Sequence, residues 1–331
     1  MDRPTLIVAL GLLMAALGFS TGANAGNAAN LPDLGGPASS NAAPRVTAKD
    51  AVRTCTKCHD ESENAPVLSI LKSKHGVMAD SRTPFADQGC MSCHGSSKAH
   101  LQAPPAGSEK RAQPDIVFGK GSKTPVAKRN ETCLGCHESG VRMHWKGSKH
   151  ESENVACASC HVAHTQSDPI LAKTTQAETC LTCHKSRRAE MLRPSTHPMH
   201  DGQMSCSGCH NPHGSTGPKL LVKDTLNETC YTCHAEKRGP FLWEHAPVRE
   251  DCANCHKPHG SVNASLLKTR APFLCQQCHL AAFHPSTAYS GTGLPGATLP
   301  SGAQQLLGKS CMSCHSQVHG SNHPSGVRKT R

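Results

Sequence analysis

All 20 cysteines of this 331-residue chain fall into one pattern, C-x-x-C-H, which occurs ten times. The first five copies are Cys55, Cys58 and His59; Cys90, Cys93 and His94; Cys133, Cys136 and His137; Cys157, Cys160 and His161; and Cys180, Cys183 and His184. The second five are Cys206, Cys209 and His210; Cys230, Cys233 and His234; Cys252, Cys255 and His256; Cys275, Cys278 and His279; and Cys311, Cys314 and His315. This spacing is the attachment signature of c-type haem. Two thiols add to the two vinyl groups of one porphyrin, and a two-residue spacer lets both reach the same edge. The next residue then lies under the iron as its proximal imidazole. C-x-x-C pairs also build zinc ribbons and thioredoxin-like redox sites. Neither chemistry requires histidine directly after every second cysteine. The sequence therefore predicts ten covalent c-type haems and no disulfides.

Thirteen histidines lie outside the motifs, and most recur in a pattern. Taken in consecutive pairs, the motifs define five units. Each unit has one extra histidine between its motifs and one soon after the second: His75 and His100, His150 and His164, His197 and His213, His245 and His259, His284 and His319. The spellings CHVAH, CHNPH and CHKPH put His164, His213 and His259 three residues after a motif histidine. Three units open alike, with NETC, AETC and NETC. Ten extra histidines for ten haems predict that every iron is bis-histidine. His144, His200 and His323 are left as spares, with His319 preferred to His323 because it fits the repeat. Which distal histidine serves which haem is open at this level. No methionine recurs at a fixed offset, so methionine ligation is the lesser alternative.

The elements that must position these residues are slight. Hydrophobic residues make up 36% of the chain, cysteine included, and only 3% is aromatic. That is too little aliphatic material for an ordinary core of this length. Haem, flat and apolar, can fill the interior instead. The expected fold is a multihaem cytochrome c, mostly coil with short α-helices wrapped around a chain of ten haems, and almost no β structure.

The N-terminal region reads as an address. Leu6–Phe19 is an apolar run and Ala23-Asn24-Ala25 an A-x-A cleavage site. Residues 1–25 are therefore expected to be a signal peptide, the alternative being an uncleaved anchor. Residues 26–50 read as a flexible lead and 51–331 as the decahaem domain of five two-haem units. The stretch 101–128 is of low complexity and reads as a linker separating the first unit from the rest. Residues 290–309 read as a loop. The formal charge of +11 does not imply nucleic acid. Twenty haem propionates against ten ferric cores would bring it to about +1, and the aromatics that stack bases are missing.

The later units resemble a known family. CYTCHAEKRGPFLWEHAPVREDCANCHKPHGSVNASLLKTRAPFLCQQCH (230–279) and CHSQVHGSNHPSG (314–326) are similar to the MtrA-type periplasmic decahaem cytochromes, which include the DmsE, MtoA and PioA types. The resemblance runs from about residue 51 to the C-terminus. It implies a periplasmic protein associated with the outer membrane, seated in a porin-like β-barrel as a haem wire. Its implied partners are that barrel, periplasmic or inner-membrane cytochromes, and an extracellular multihaem cytochrome or surface oxidoreductase. The alternatives are a soluble periplasmic electron shuttle and a multihaem reductase. The reductase needs an open iron, and the histidine count offers none.

Overall fold

Each motif folds as the same single turn. The carbonyl of its first cysteine accepts a hydrogen bond from the second cysteine's amide at 3.2–3.3 Å and from the motif histidine's amide at 2.8–3.1 Å. Both sulfurs are thereby set on one side of the turn, with the histidine following at the same end. The computed structural model describes residues 47–60, 66–279 and 311–330. The signal-peptide region, the lead as far as residue 46, His284 and the 290–309 loop lie outside the described residues.

Four motifs receive their first cysteine from the C-terminal end of a helix: Ala48–Cys55, Val126–Leu134, Lys173–Leu181 and Leu226–Tyr231. Local chemistry sets where these begin. Thr47 and Thr225 cap two of them, each side chain accepting from the amide three residues on. Pro125 precedes a third, and Gly135 ends it. Most of the remaining motifs open as one 3-10 turn, as at Cys157–Ser159, Cys206–Gly208 and Cys252–Asn254. Among the described residues the β structure is one two-stranded antiparallel sheet, Trp243–Glu244 against Gly320–Ser321, with a few isolated bridges. The expected coil with short helices and almost no β is what the chain adopts.

Side chains alone do not make the core. Among the described residues the buried apolar set is Ala51, Ile70, Phe85, Trp145, Ala156, Leu181, Met191 and Leu221. As many polar residues are buried, among them Asn130, Gln176 and Asn227. These three are structural brackets. Asn130 Oδ1 accepts from the Cys157 amide at 2.9 Å while its Nδ2 donates to the Val155 carbonyl. Asn227 does the same for the Cys252 amide at 2.7 Å, donating to the Val248 and Arg249 carbonyls. Gln176 reaches the Ser207 amide at 2.9 Å and donates to the Ile170 carbonyl. Each bracket ties the helix of one motif to the turn of the next.

The stretch 101–128 differs from its reading as a separating linker. Asp115 Oδ2 accepts from the Ser97 amide at 2.8 Å. The Ile116 carbonyl is 2.9 Å from His94 Nδ1, and the Ala112 carbonyl is 2.6 Å from His100 Nδ1. The helix Val126–Leu134 packs against Met91–His94. A segment without regular structure has carbonyls to spare, and the histidines need acceptors.

Candidate haem sites

The motif sulfurs are neighbours in chain order. The first cysteines within each motif pair lie close enough to influence one another: Cys55 and Cys90, Cys133 and Cys157, Cys180 and Cys206, Cys230 and Cys252, and Cys275 and Cys311. Between pairs the second cysteines are within electrostatic reach: Cys93 of Cys136, Cys160 of Cys183, Cys209 of Cys233, and Cys255 of Cys278. The ten attachment turns thus form an unbroken sequence of neighbours.

The histidine rings face one another in pairs. Ring centroids are 6.0 Å apart for His59 with His100 and for His75 with His137, and 6.1 Å for His94 with His164 and for His150 with His184. They are 6.1 Å for His161 with His213, 6.4 Å for His197 with His234, and 6.0 Å for His210 with His259. His245 with His279 and His256 with His319 stand at 6.1 and 6.2 Å. Each pair joins one motif histidine to one extra histidine, and the gap has room for one iron between two imidazole nitrogens.

The pairing follows a rule. Apart from His59 with His100, every one of these pairs crosses between units, and the crossing is reciprocal. His75 of the first unit faces His137 of the second, while His164 of the second returns to His94 of the first. His150 and His213 make the same exchange at the next junction, His197 and His259 at the third, His245 and His319 at the fourth.

In many of these rings Nδ1 is held by a main-chain carbonyl, which leaves Nε2 for the gap. Nδ1 of His150, His197 and His245 lies 2.8–2.9 Å from the carbonyls of Pro212, Pro258 and Val318. Each of these carbonyls belongs to the residue before His213, His259 or His319. His210 and His256 bond the Lys219 and Ser265 carbonyls at 2.9 and 2.8 Å. His315 bonds the Arg328 carbonyl at 2.6 Å, and His164 the Val67 carbonyl at 2.7 Å. A main-chain acceptor fixes the tautomer that leaves Nε2 free to bind metal. The spare histidines lack this arrangement. His200 uses Nε2 on the Met191 carbonyl at 2.9 Å. His323 Nδ1 takes the Ser325 amide and hydroxyl, and its carbonyl takes Trp243 Nε1. The structure brings His319 and not His323 to His256.

A glycine follows three of the four exchanged histidines that come after a second motif, and sequence reasoning passed over it. Gly214 (φ 109°), Gly260 (φ 147°) and Gly320 (φ 140°) lie against the His144 carbonyl, the Glu190 carbonyl and the Phe241 ring. A Cβ at any of them would clash with the preceding unit. His144 therefore contributes its backbone to the junction. The signal was present in the sequence as H-G after His213, His259 and His319, whereas proline follows His323.

Burial pushes the imidazoles of His94, His137, His213, His259 and His319 below the ordinary histidine range. Burial thereby favours the neutral ring, the form a metal ligand takes. The Nε groups of Arg129 and Arg142 are buried without a partner. Arg142 also acts on both His137 and His213. Unmet guanidinium donors beside a ring pair suit the carboxylate of a haem propionate. Among the described residues no three His, Cys, Asp or Glu side chains converge on a bare ion, so no zinc ribbon is built from them. Paired rings, paired sulfurs and orphaned donors all fit haem.

These features define a multihaem c-type cytochrome with covalently attached haem. The doubled CXXCH motif family matches residues 197–239 and 245–282, and the family of the cytochrome c-type protein NrfB matches residues 90–177. The multiheme cytochrome MtrA of Shewanella baltica is 50% identical over 274 residues, which cover 82% of this chain and 79% of that protein. The cytochrome c-type protein NrfB of Escherichia coli O6:H1 is 26% identical over 140 residues, 40% of this chain and 65% of its own. The chain belongs to the MtrA family of multihaem cytochromes, and it is an electron carrier, not an enzyme.

Proposed function

We propose that the protein carries ten bis-histidine haems in five two-haem units and acts as a wire for electrons across the outer membrane, inside a β-barrel partner. Haem, when bound, supplies the ferric/ferrous couple. The chain supplies its placement. In each motif two cysteines would hold the porphyrin, with the motif histidine as one ligand of the iron. The facing histidine of each ring pair would be the other ligand, with His284 left for His315. The observation that carries this reading is the unbroken sequence of sulfur neighbours with reciprocal histidine exchange at every junction. The eight haems at the junctions would each be held by the two units that meet there, which would fix the spacing of the row. Exchange at a junction would also leave no open site for substrate on those irons.

The barrel and the location rest on other support. The signal-like N-terminus suits export to the periplasm. No helix among the described residues is long and apolar enough to cross a membrane. Lipid would reject so much irregular backbone, whereas the lumen of a large barrel is polar. The Shewanella relative is a multiheme cytochrome MtrA, the family that the sequence resembles. On this reading the protein takes electrons between periplasmic or inner-membrane cytochromes and an extracellular multihaem cytochrome or surface oxidoreductase. Affinity purification from outer membranes tests it. A β-barrel should co-purify, and scattering by the free protein should give a radius of gyration well above the compact value of about 19 Å. A compact protein with no barrel partner is a free periplasmic shuttle.

A further inference from the structure

The repeat contains its own control for how the motif histidines are tuned. In the second motif of four units, Nδ1 of the motif histidine meets a main-chain carbonyl: Ile116 for His94, Lys219 for His210, Ser265 for His256 and Arg328 for His315. The second unit departs from this. There, Nδ1 of His161 lies 2.7 Å from Asp168 Oδ2. The other oxygen of that carboxylate accepts from the Val162 and Ile170 amides, both at 3.3 Å. Asp168 caps the turn Pro169–Leu171 and its side chain is only 14% exposed. It is fixed, shielded and aimed at the ring.

Glu190 and Glu236 also approach paired histidines, and both are weaker. Glu190 Oε2 is 3.4 Å from His259 Nδ1, but Arg187 bridges to Glu190 and also reaches that nitrogen. Glu236 is 3.7 Å from His234 Nδ1 and 59% exposed. Arg142 acts on His137 and His213 alike, so it does not single out the fourth site. His213 Nδ1 itself has no partner. Asp168 is thus the charge in direct contact with the His161–His213 pair.

We propose that Asp168 is a potential-setting residue, whose carboxylate on His161 makes the fourth haem the lowest in potential among those of the second motifs. The inference rests on the ligation proposed above. An acceptor with full negative charge makes the imidazole a stronger donor, which favours ferric over ferrous iron. One electron enters on reduction, no bond breaks, and the proton stays on Nδ1. A carbonyl dipole in the same place does less. Mutating the outer-shell partner of a metal-bound histidine typically costs 10–100-fold in metal affinity or activity, so an effect of at least about tenfold on the couple is expected. Tenfold in the ferric/ferrous ratio is about 59 mV for one electron.

The test is a potentiometric titration of the intact ten-haem protein followed by electron paramagnetic resonance, with Asp168→Asn and Asp168→Glu. The planes of His161 and His213 are 12° apart. The fourth haem must therefore belong to the near-parallel, rhombic class of low-spin signals. In Asp168→Asn one haem equivalent of that class should move up in potential, its ferric/ferrous ratio at a fixed potential falling by at least about tenfold, while Asp168→Glu leaves it in place. If Asp168→Asn sheds the fourth haem, the component lost must lie below at least two others of its class, those of His210–His259 and His256–His319. No movement, or movement of a near-perpendicular component, overturns the tuning role. A high-spin fourth haem in the unsubstituted protein would instead overturn the ligation itself.

Discussion

The imidazole of His197 is anchored 2.9 Å from the carbonyl of Pro258, the residue immediately before His259. The two histidines are the ones exchanged at the third junction, so a single hydrogen bond couples the placement of both. Replacing His259 with alanine should make the haem of Cys206 and Cys209 high-spin and loosen the neighbouring haem held by His197. Two of ten haems should change in the paramagnetic resonance spectrum, with the second keeping its low spin but broadening. His200→Ala should leave all ten low-spin, because its Nε2 is engaged by Met191. A high-spin haem in the His200 variant would break the division between ligands and spares.

The ring planes predict the spectrum of the oxidised protein. They lie within 28° of parallel for His59–His100, His161–His213, His210–His259, His245–His279 and His256–His319. They are near-perpendicular for His75–His137 (89°) and His150–His184 (73°). Among the nine described pairs, integration should therefore find more rhombic low-spin signal than broad, strongly anisotropic signal, roughly five haems to two with two between. A spectrum dominated by the anisotropic class would contradict the pairing.

The junction glycines predict a second kind of failure. Gly260→Ala forces a Cβ into the Glu190 carbonyl at a positive φ. Stability should fall by more than about 1 kcal/mol, read as a lower denaturation midpoint. An equivalent change at exposed Gly107, where nothing stands in the way, should cost less despite its positive φ.

The chemistry was legible in the sequence because covalent attachment demands a fixed local spacing, and so was the coil, because haem replaces an aliphatic core. The ring pairing was not. His150 and His184 meet through space across a unit boundary, and no spacing rule links a residue to a partner on another segment. The NETC repeat was visible, yet its meaning needed the structure, where Asn130 and Asn227 hold the next motif's amide. The AETC unit lacks that asparagine, and Gln176, one residue earlier and one methylene longer, takes its place. The carbonyls of 101–128 read as linker for the same reason: an acceptor on the main chain leaves no mark in the sequence.

Those brackets should be measurable. Asn227→Ala leaves the Cys252 amide and two carbonyls with one fewer partner in a buried place. A loss of about 1–3 kcal/mol is expected, seen in urea unfolding and as incomplete attachment at Cys252 and Cys255 by mass spectrometry. Asn227→Gln should also disturb the site, because the extra methylene suits only the register of Gln176. An alanine variant with unchanged stability and full attachment would remove the bracket from the account.

The central claim is conduction along the row, and liposomes test it most directly. The barrel partner should be reconstituted with this protein in vesicles that enclose a redox dye, and a membrane-impermeant reductant added outside. The account predicts that the dye bleaches with the complex and stays coloured with the barrel alone or with the haem-free chain. A dye that stays coloured with the fully loaded complex, all ten haems present and low-spin, would contradict it.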